Sequence, residues 1–170
     1  MKSFDCDFFT LVLDERIKCF WSTEQPEYLN LFVNDFALAR LSISTGLYAD
    51  KGWVEDSIRR AVAERGGYLG PMDEDYPDEH MLLIDDPHGR VSEHHLLRYG
   101  AGWAIHINIY DNYHDGDIEV LRSVISAMDV HVDPVLAAGD HIRHPLKISD
   151  STVFSTIGSR QLLEEKRYEG

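Results

Sequence analysis

The segment from Gly102 to Tyr110, which reads GWAIHINIY, constrains the fold more than any other part of the chain. Successive side chains of a β-strand point to opposite faces of a sheet, so this alternation separates an apolar row from a mostly polar one. The apolar row is Trp103, Ile105, Ile107 and Ile109, and the other row is Ala104, His106, Asn108 and Tyr110. The segment is therefore predicted to be a strand with one face on a core and the other wet or functional.

Two stretches carry the spacing of amphipathic helices. Val54, Ile58 and Val62 recur on one helical face, with Asp50 as a candidate N-cap and Gly66 as a left-handed stop. A second helix is predicted over 117–129, with Asp117 as its candidate N-cap. A third is expected near 159–167.

Runs of apolar, aromatic and β-branched residues predict further strands between turn signals. These strands cover 6–13, 16–22, 28–33, 38–44, 67–72 and 81–84. A turn is predicted at 86–89, where proline and glycine stand at the favoured positions. Strands in runs with helices between them predict an α+β fold, in which two or three helices pack on a mostly antiparallel sheet as a single pair of layers. The length fits one domain over residues 1–170.

The chain is strongly acidic, with 16 basic and 30 acidic residues and a net charge of −14. This balance argues against binding to nucleic acid or to an anionic membrane, because phosphates are held by clustered Lys and Arg. No apolar run approaches the roughly 20 residues of a membrane span. Acids occupy the N-terminal positions where a signal peptide would be apolar. A cytoplasmic protein is expected.

Nine histidines make a metal site the first chemistry to consider. Neither a His-Glu-x-x-His nor a Cys-x-x-Cys pattern is present, and these are the spacings that zinc sites favour. His94 and His95 are adjacent in the sequence, and the side chains of adjacent residues diverge on a strand. The sequence therefore predicts no metal and no cofactor.

The polar row of the 102–110 strand is the best candidate for an enzyme site. His106, Asn108 and Tyr110 could line a pocket, with Asp111 or His114 completing an acid–base set and a metal as a possible aid. The alternative is that these residues form the solvent face of a half-buried strand. On the second interpretation the protein has no catalytic residue.

The acidity is concentrated in one part of the chain. Residues 73–119 hold twelve acids against two bases, Arg90 and Arg98. The loops at 73–79 and 111–119 each follow a predicted strand, and tyrosines stand among their acids. Acids steer a basic partner and aromatic rings anchor it, so these loops are the predicted partner-binding surface. Its residues are Asp73, Glu74, Asp75, Tyr76, Asp78, Glu79, Tyr110, Asp111, Tyr113 and Asp115.

The size, the acidity and the strand–helix–strand layout, which includes GWVEDSIRRAVAERGGYLGPM followed by strands, resemble the immunity proteins of bacterial toxin–immunity systems. They are also similar in kind to phage-encoded inhibitors that mimic charged ligands. The resemblance implies a protein that is not an enzyme and whose acidic face occludes a basic cleft on a toxin or similar effector. A small enzyme and an assembly subunit without a cleft are the competing interpretations.

Overall fold

The computed structural model describes residues 2–70, 73–110 and 113–148. Within these ranges the chain forms ten strands, three α-helices and a short 3₁₀ helix at Gly46–Ala49. The strands are β1 Lys2–Asp5, β2 Phe9–Leu13, β3 Ile17–Trp21, β4 Leu29–Val33, β5 Ala37–Thr45, β6 Tyr68–Leu69, β7 Glu79–Asp86, β8 Gly89–Gly100, β9 Trp103–Tyr110 and β10 Asp129–Val130. The helices are α1 Lys51–Glu64, α2 Asp115–Ala127 and α3 Pro134–Ala137.

The strands form two sheets. The larger has the order β3-β4-β5-β9-β8-β7-β6, the smaller has the order β1-β2-β10, and the paired strands are antiparallel. The predicted α+β fold with a mostly antiparallel sheet is therefore confirmed. The expected single pair of layers is replaced by two sheets, with α1 and α2 on opposite faces of the larger one.

The strand β9 lies at the centre of the larger sheet, between β5 and β8. Ile105, Ile107 and Ile109 are completely buried in the main core, and the small sheet and α2 pack on the same side. Trp103 packs against this core at its edge. The predicted alternation of the 102–110 segment is confirmed, and its polar row therefore faces the side of the sheet on which α1 lies.

The helix α1 begins and ends where the sequence indicates. The Asp50 carboxylate accepts a hydrogen bond from the backbone N–H of Trp53 at 3.1 Å, and Gly66 adopts a positive φ of 73° just past the helix. Val54, Ile58 and Val62 pack on Leu82 and Leu97 of the larger sheet. This small core covers only the β7–β8 side, so part of the sheet face beside α1 is left open.

The helix α2 begins two residues earlier than the sequence predicts. Its N-cap is His114 rather than Asp117, and the Asp117 carboxylate accepts a hydrogen bond from the His114 backbone N–H at 2.9 Å. Asp117 therefore stabilises the same helix end from its third position, as an acid in a capping box does. The buried stripe of α2 packs on the main core.

Four local features differ from the sequence predictions. The strand expected over 67–72 is limited to Tyr68–Leu69 within the described residues, whereas that expected over 81–84 extends to Glu79–Asp86. The strands expected around Asp14 lie in different sheets, and the Asp14 carboxylate accepts from the Arg16 backbone N–H at 2.7 Å in the tight turn between them. The twelve-residue strand β8 is absent from the sequence prediction. The helix expected near 159–167 lies outside the described residues.

In the described part of the chain, no helix combines the length and the apolar character needed to cross a membrane.

Candidate functional site

Two concave sites lie on opposite faces of the larger sheet. The first, the acidic groove, has a volume of about 360 Å³ and lies beside α2. The second, the histidine cavity, has a volume of about 230 Å³ and lies between α1 and the polar row of β9. The sequence predictions include residues of both sites, but they assign residues from the two sites to a single partner-binding surface.

The acidic groove brings together the two acidic loops. Its lining residues are Asp73, Glu79, Met81, His94, Tyr113, Asp115, Ile118, Glu119 and Arg122. The parts of the chain before β7 and at the start of α2 are about 40 residues apart in sequence, and they meet here because β7 and α2 both flank β8. The described parts of the two loops thus contribute to one surface.

Five carboxylates on this surface are exposed and form no ion pair with a residue in the described ranges. They are Asp73, Glu74, Asp75, Asp115 and Glu119. No described basic side chain therefore pairs directly with these charges, although Asp73 acts on Arg122 in the same groove and helps to raise the pKa of that guanidinium. Tyr76 stands among these carboxylates with 39% of its surface exposed.

Glu79 belongs to the interior of this site rather than to its exposed surface. Its carboxylate accepts two hydrogen bonds from the Arg122 guanidinium, at 2.7 and 2.9 Å, and its Oε1 lies 2.8 Å from Nε2 of His94. The Tyr76 ring lies over the same guanidinium, with the Arg122 Cζ 3.5 Å from the ring centroid. Arg122 therefore holds the tyrosine and the acidic loop in place from below.

The other predicted members of the surface have structural partners of their own. Asp78 forms an ion pair with Lys51 at 2.8 Å. Tyr113 packs against the main core and meets the His94 ring edge-on, with the ring centroids 6.2 Å apart. Tyr110 lies on the opposite face of the sheet and lines the histidine cavity, so it is not part of the acidic groove. Asp111 lies outside the described residues.

The histidine cavity collects the three residues that the sequence analysis grouped as an enzyme candidate. His106, Asn108 and Tyr110 line it together with Ser42 and Ser44 of β5, because β5 and β9 are paired neighbours. Apolar side chains of α1, among them Val54 and Ile58, cover one side. The cavity is thus polar along the sheet and apolar beneath the helix.

A chain of three ionisable side chains runs along the floor of this cavity. Nδ1 of His95 lies 2.7 Å from Nε2 of His106, and Nε2 of His95 lies 3.2 Å from a carboxylate oxygen of Glu93. The Arg65 guanidinium donates to the other Glu93 oxygen. Burial alone would raise the pKa of Glu93, but the hydrogen bonds from His95 and Arg65 outweigh it and lower the pKa. Burial lowers the pKa of His106 well below its usual range.

Among the described residues, the acid of this constellation is Glu93. His114 caps α2, and Asp111 is not described. The signal that could have found Glu93 is the strand β8, which pairs with β9 through the tight turn at Ala101–Gly102, where Gly102 has a φ of 78°. In that register Glu93 is opposite Tyr110, whereas His94 and His95 face opposite sides of the sheet, as predicted.

Within the described ranges, no three side chains of His, Cys, Asp or Glu converge in the way a metal ion requires. The nearest pairs are His95 with His106 and His141 with His144, whose rings stack with centroids 4.8 and 4.2 Å apart.

Comparison of this chain with protein-family models, with curated proteins and with solved structures finds no match. The function is therefore inferred from the residues of this chain and their geometry.

Proposed function

We propose that this protein binds a basic partner protein through the surface around the acidic groove and inhibits that partner by occluding its basic site, without being an enzyme. On this proposal it acts in the cytoplasm, as an immunity-type protein against a toxin or a similar effector does. The observation that supports the proposal is the meeting of two acidic segments, remote in sequence, on one surface with five carboxylates that form no ion pair with a described residue.

The charge of this surface supports a basic partner in particular. Exposed like charges repel one another, and a partner that brings Lys or Arg side chains removes that repulsion while gaining ion pairs. Asp73, Glu74 and Asp75 are consecutive and all exposed, which gives three charges on a short loop. Ordinary solubility does not require such local concentration, because the net charge of −14 would serve that purpose if it were evenly distributed.

Tyr76 supplies the anchoring element that an interface needs. Aromatic side chains contribute disproportionately to binding energy, particularly when they lose little conformational freedom on association. The Arg122 guanidinium beneath the ring is itself fixed by Glu79, so Tyr76 is held in a defined orientation while part of its surface stays exposed. A rigid ring surrounded by acids suits a cleft that carries basic residues around an apolar spot.

The proposal is tested by affinity capture from the native host with three baits. They are the wild type, a loop variant with Asp73, Glu74 and Asp75 changed to Lys, and a matched control with Glu55, Asp56 and Glu64 of α1 changed to Lys. Each variant adds the same positive charge, but the control places that charge on α1, on the face of the larger sheet opposite the acidic groove. A basic protein retained by the wild type and the control but lost by the loop variant is the expected result. Equal retention by all three baits, or no retained basic protein, contradicts the proposal.

A further inference from the structure

The histidine cavity encloses a volume that no side chain of the described residues fills. Its volume of about 230 Å³ corresponds to about eight water molecules at liquid density. That is smaller than the sites of drug-sized ligands, so an occupant would be a small molecule of about ten non-hydrogen atoms. The cavity lies across the larger sheet from the acidic groove, so it is not part of the proposed partner surface.

The floor of the cavity contains a hydrogen-bond acceptor that has no partner among the described residues. Oδ1 of Asn108 is buried and has no hydrogen-bond partner among the described residues. A buried polar atom without a partner costs free energy, and such atoms are rare in folded proteins unless something else satisfies them. A ligand that donates a hydrogen bond at this point would remove that cost.

The chain from Glu93 to His106 adds a second acceptor beside the first. Ionised Glu93 has no proton to give, so Nε2 of His95 donates to it. When both rings are neutral, Nδ1 of His95 then accepts from Nε2–H of His106, which leaves Nδ1 of His106 with a lone pair. Burial disfavours the charged form of His106 and keeps this ring neutral, so it remains an acceptor at neutral pH.

The rim of the cavity contains a cation in an otherwise acidic protein. Arg143 lines the cavity with a φ of 52°, and its backbone N–H donates to Oγ of Ser44 at 3.2 Å. Its guanidinium lies 5.8 Å from the Tyr28 ring centroid and forms no ion pair with a described residue. Burial lowers the pKa of His106 most, and the positive charge of Arg143, which lines the same cavity, lowers it further.

Together these groups set the chemistry of an occupant. The second arginine of the lining, Arg65, is already paired with Glu93, so the lining carries a net positive charge when its histidines are neutral. The unpartnered Oδ1 of Asn108 on the floor requires a ligand that donates, and the Arg143 guanidinium at the rim favours a carboxylate. Val54, Ile58 and Ile142 leave apolar surface for a hydrocarbon body.

We infer that the histidine cavity binds a small carboxylate that also carries a hydroxyl group, with the carboxylate on Arg143 and the hydroxyl donating to Oδ1 of Asn108. This inference goes beyond the proposed partner binding and does not depend on it.

The test is isothermal titration of the whole protein with two hydroxy acids of different length, 3-hydroxybutyrate and 4-hydroxyphenylacetate. Their matched analogues without the hydroxyl are butyrate and phenylacetate, and 4-hydroxyphenylacetamide lacks the charge. We expect at least one hydroxy acid to bind, about tenfold more tightly than its analogue without the hydroxyl, because only the hydroxyl satisfies Oδ1 of Asn108. For the phenolic acid, the neutral amide should bind about tenfold more weakly.

Two variants assign each contribution to its residue. Asn108→Leu should reduce the preference for the hydroxyl and leave the preference for the carboxylate, whereas Arg143→Gln should do the reverse. Arg60→Gln, on the exposed side of α1, is the matched control and should change neither. Circular dichroism and thermal melting establish that each variant is folded. Changes in the His106 ring signals of NMR spectra when the probe is added locate the binding.

Absence of binding by both hydroxy acids up to about 10 mM would overturn the inference. So would binding with equal affinity for the hydroxy acids and their analogues, or binding that Asn108→Leu and Arg143→Gln leave unchanged. None of these results affects the capture experiment, since its variants lie on the loop and on the outer side of α1.

Discussion

Carboxylates that are neighbours in the sequence have different roles in this protein. Asp73, Glu74 and Asp75 are exposed and form no ion pair with a described residue, whereas Glu79, a few residues later, is enclosed between Arg122 and His94. The sequence cannot separate these roles, because it shows where the acids are but not which of them has a basic side chain within reach. The free energy of unfolding should therefore depend on Glu79 and not on the exposed acids.

Glu79→Gln should lower the free energy of unfolding by roughly 1.5–3 kcal/mol, because it removes a charge-assisted pair of hydrogen bonds to Arg122. The matched control is Asp75→Asn, on the exposed loop, which should stay within about 0.5 kcal/mol. Urea unfolding followed by circular dichroism measures both values. Equal effects of the two substitutions would mean that Glu79 is not held as described.

Ile105→Ala should cost about 2–5 kcal/mol, since Ile105 is completely buried at the centre of the larger sheet and truncation leaves a cavity. The exposed Val12→Ala, on the smaller sheet, is a suitable comparison for the loss of a branched side chain. The same unfolding measurement serves here. A harmless Ile105→Ala would place His106 rather than Ile105 in the core and would reverse the two faces of β9.

At the scale of secondary-structure elements, the predictable parts are those whose pattern is local. The strand β9 and the helix α1 follow from alternation and from helical spacing with a cap and a glycine stop. The strand β8 was missed because its buried residues include Glu93, His94 and His95, which look polar in a sequence and are buried only because partners on other elements satisfy them. Without β8, the sequence pattern groups His106 with Asn108 and Tyr110 but does not identify Glu93 as the acid.

The start of α2 gives a prediction at this scale. Asp117→Ala should destabilise the protein by roughly 1–2 kcal/mol, because the Asp117 carboxylate accepts from the His114 backbone N–H and also from Asn34 at 2.7 Å. Glu119→Ala, two residues later and exposed, should change stability little. If thermal melting gave the two variants the same midpoint, the capping role of Asp117 would be wrong.

At the scale of the whole molecule, the larger sheet separates two surfaces with different chemistry. The α2 side presents exposed acids that form no ion pair with a described residue, and the α1 side presents a cavity lined by two imidazoles and the Arg143 guanidinium. Burial also places several histidines where protonation is costly. It lowers the pKa of His80, His94, His106 and His144.

These lowered pKa values determine how stability changes with pH. In the unfolded chain each histidine titrates near its ordinary pKa of about 6.5. Below that pH the unfolded state therefore binds more protons than the folded state does. The free energy of unfolding should therefore fall as the pH decreases from 7 through about 6.5 and should continue to fall until the folded-state pKa values are passed. Urea unfolding at several pH values between 7 and 5 tests this. His106→Asn should flatten the curve, and a midpoint that stays constant across this range would contradict the assignment.

The central claim is that the carboxylates around the acidic groove bind a basic partner, and the salt dependence of association tests it most directly. Attraction between exposed charges is screened over a Debye length of about 8 Å at physiological ionic strength, so steering should fade as salt is added. With the captured partner, the association rate constant of the wild type should fall steeply with salt. The loop variant carrying Lys at 73, 74 and 75 should associate slowly with a nearly flat dependence, and the α1 control should resemble the wild type. Equal slowing and equal salt slopes for the loop and α1 variants would show that only net charge matters, which would contradict the account.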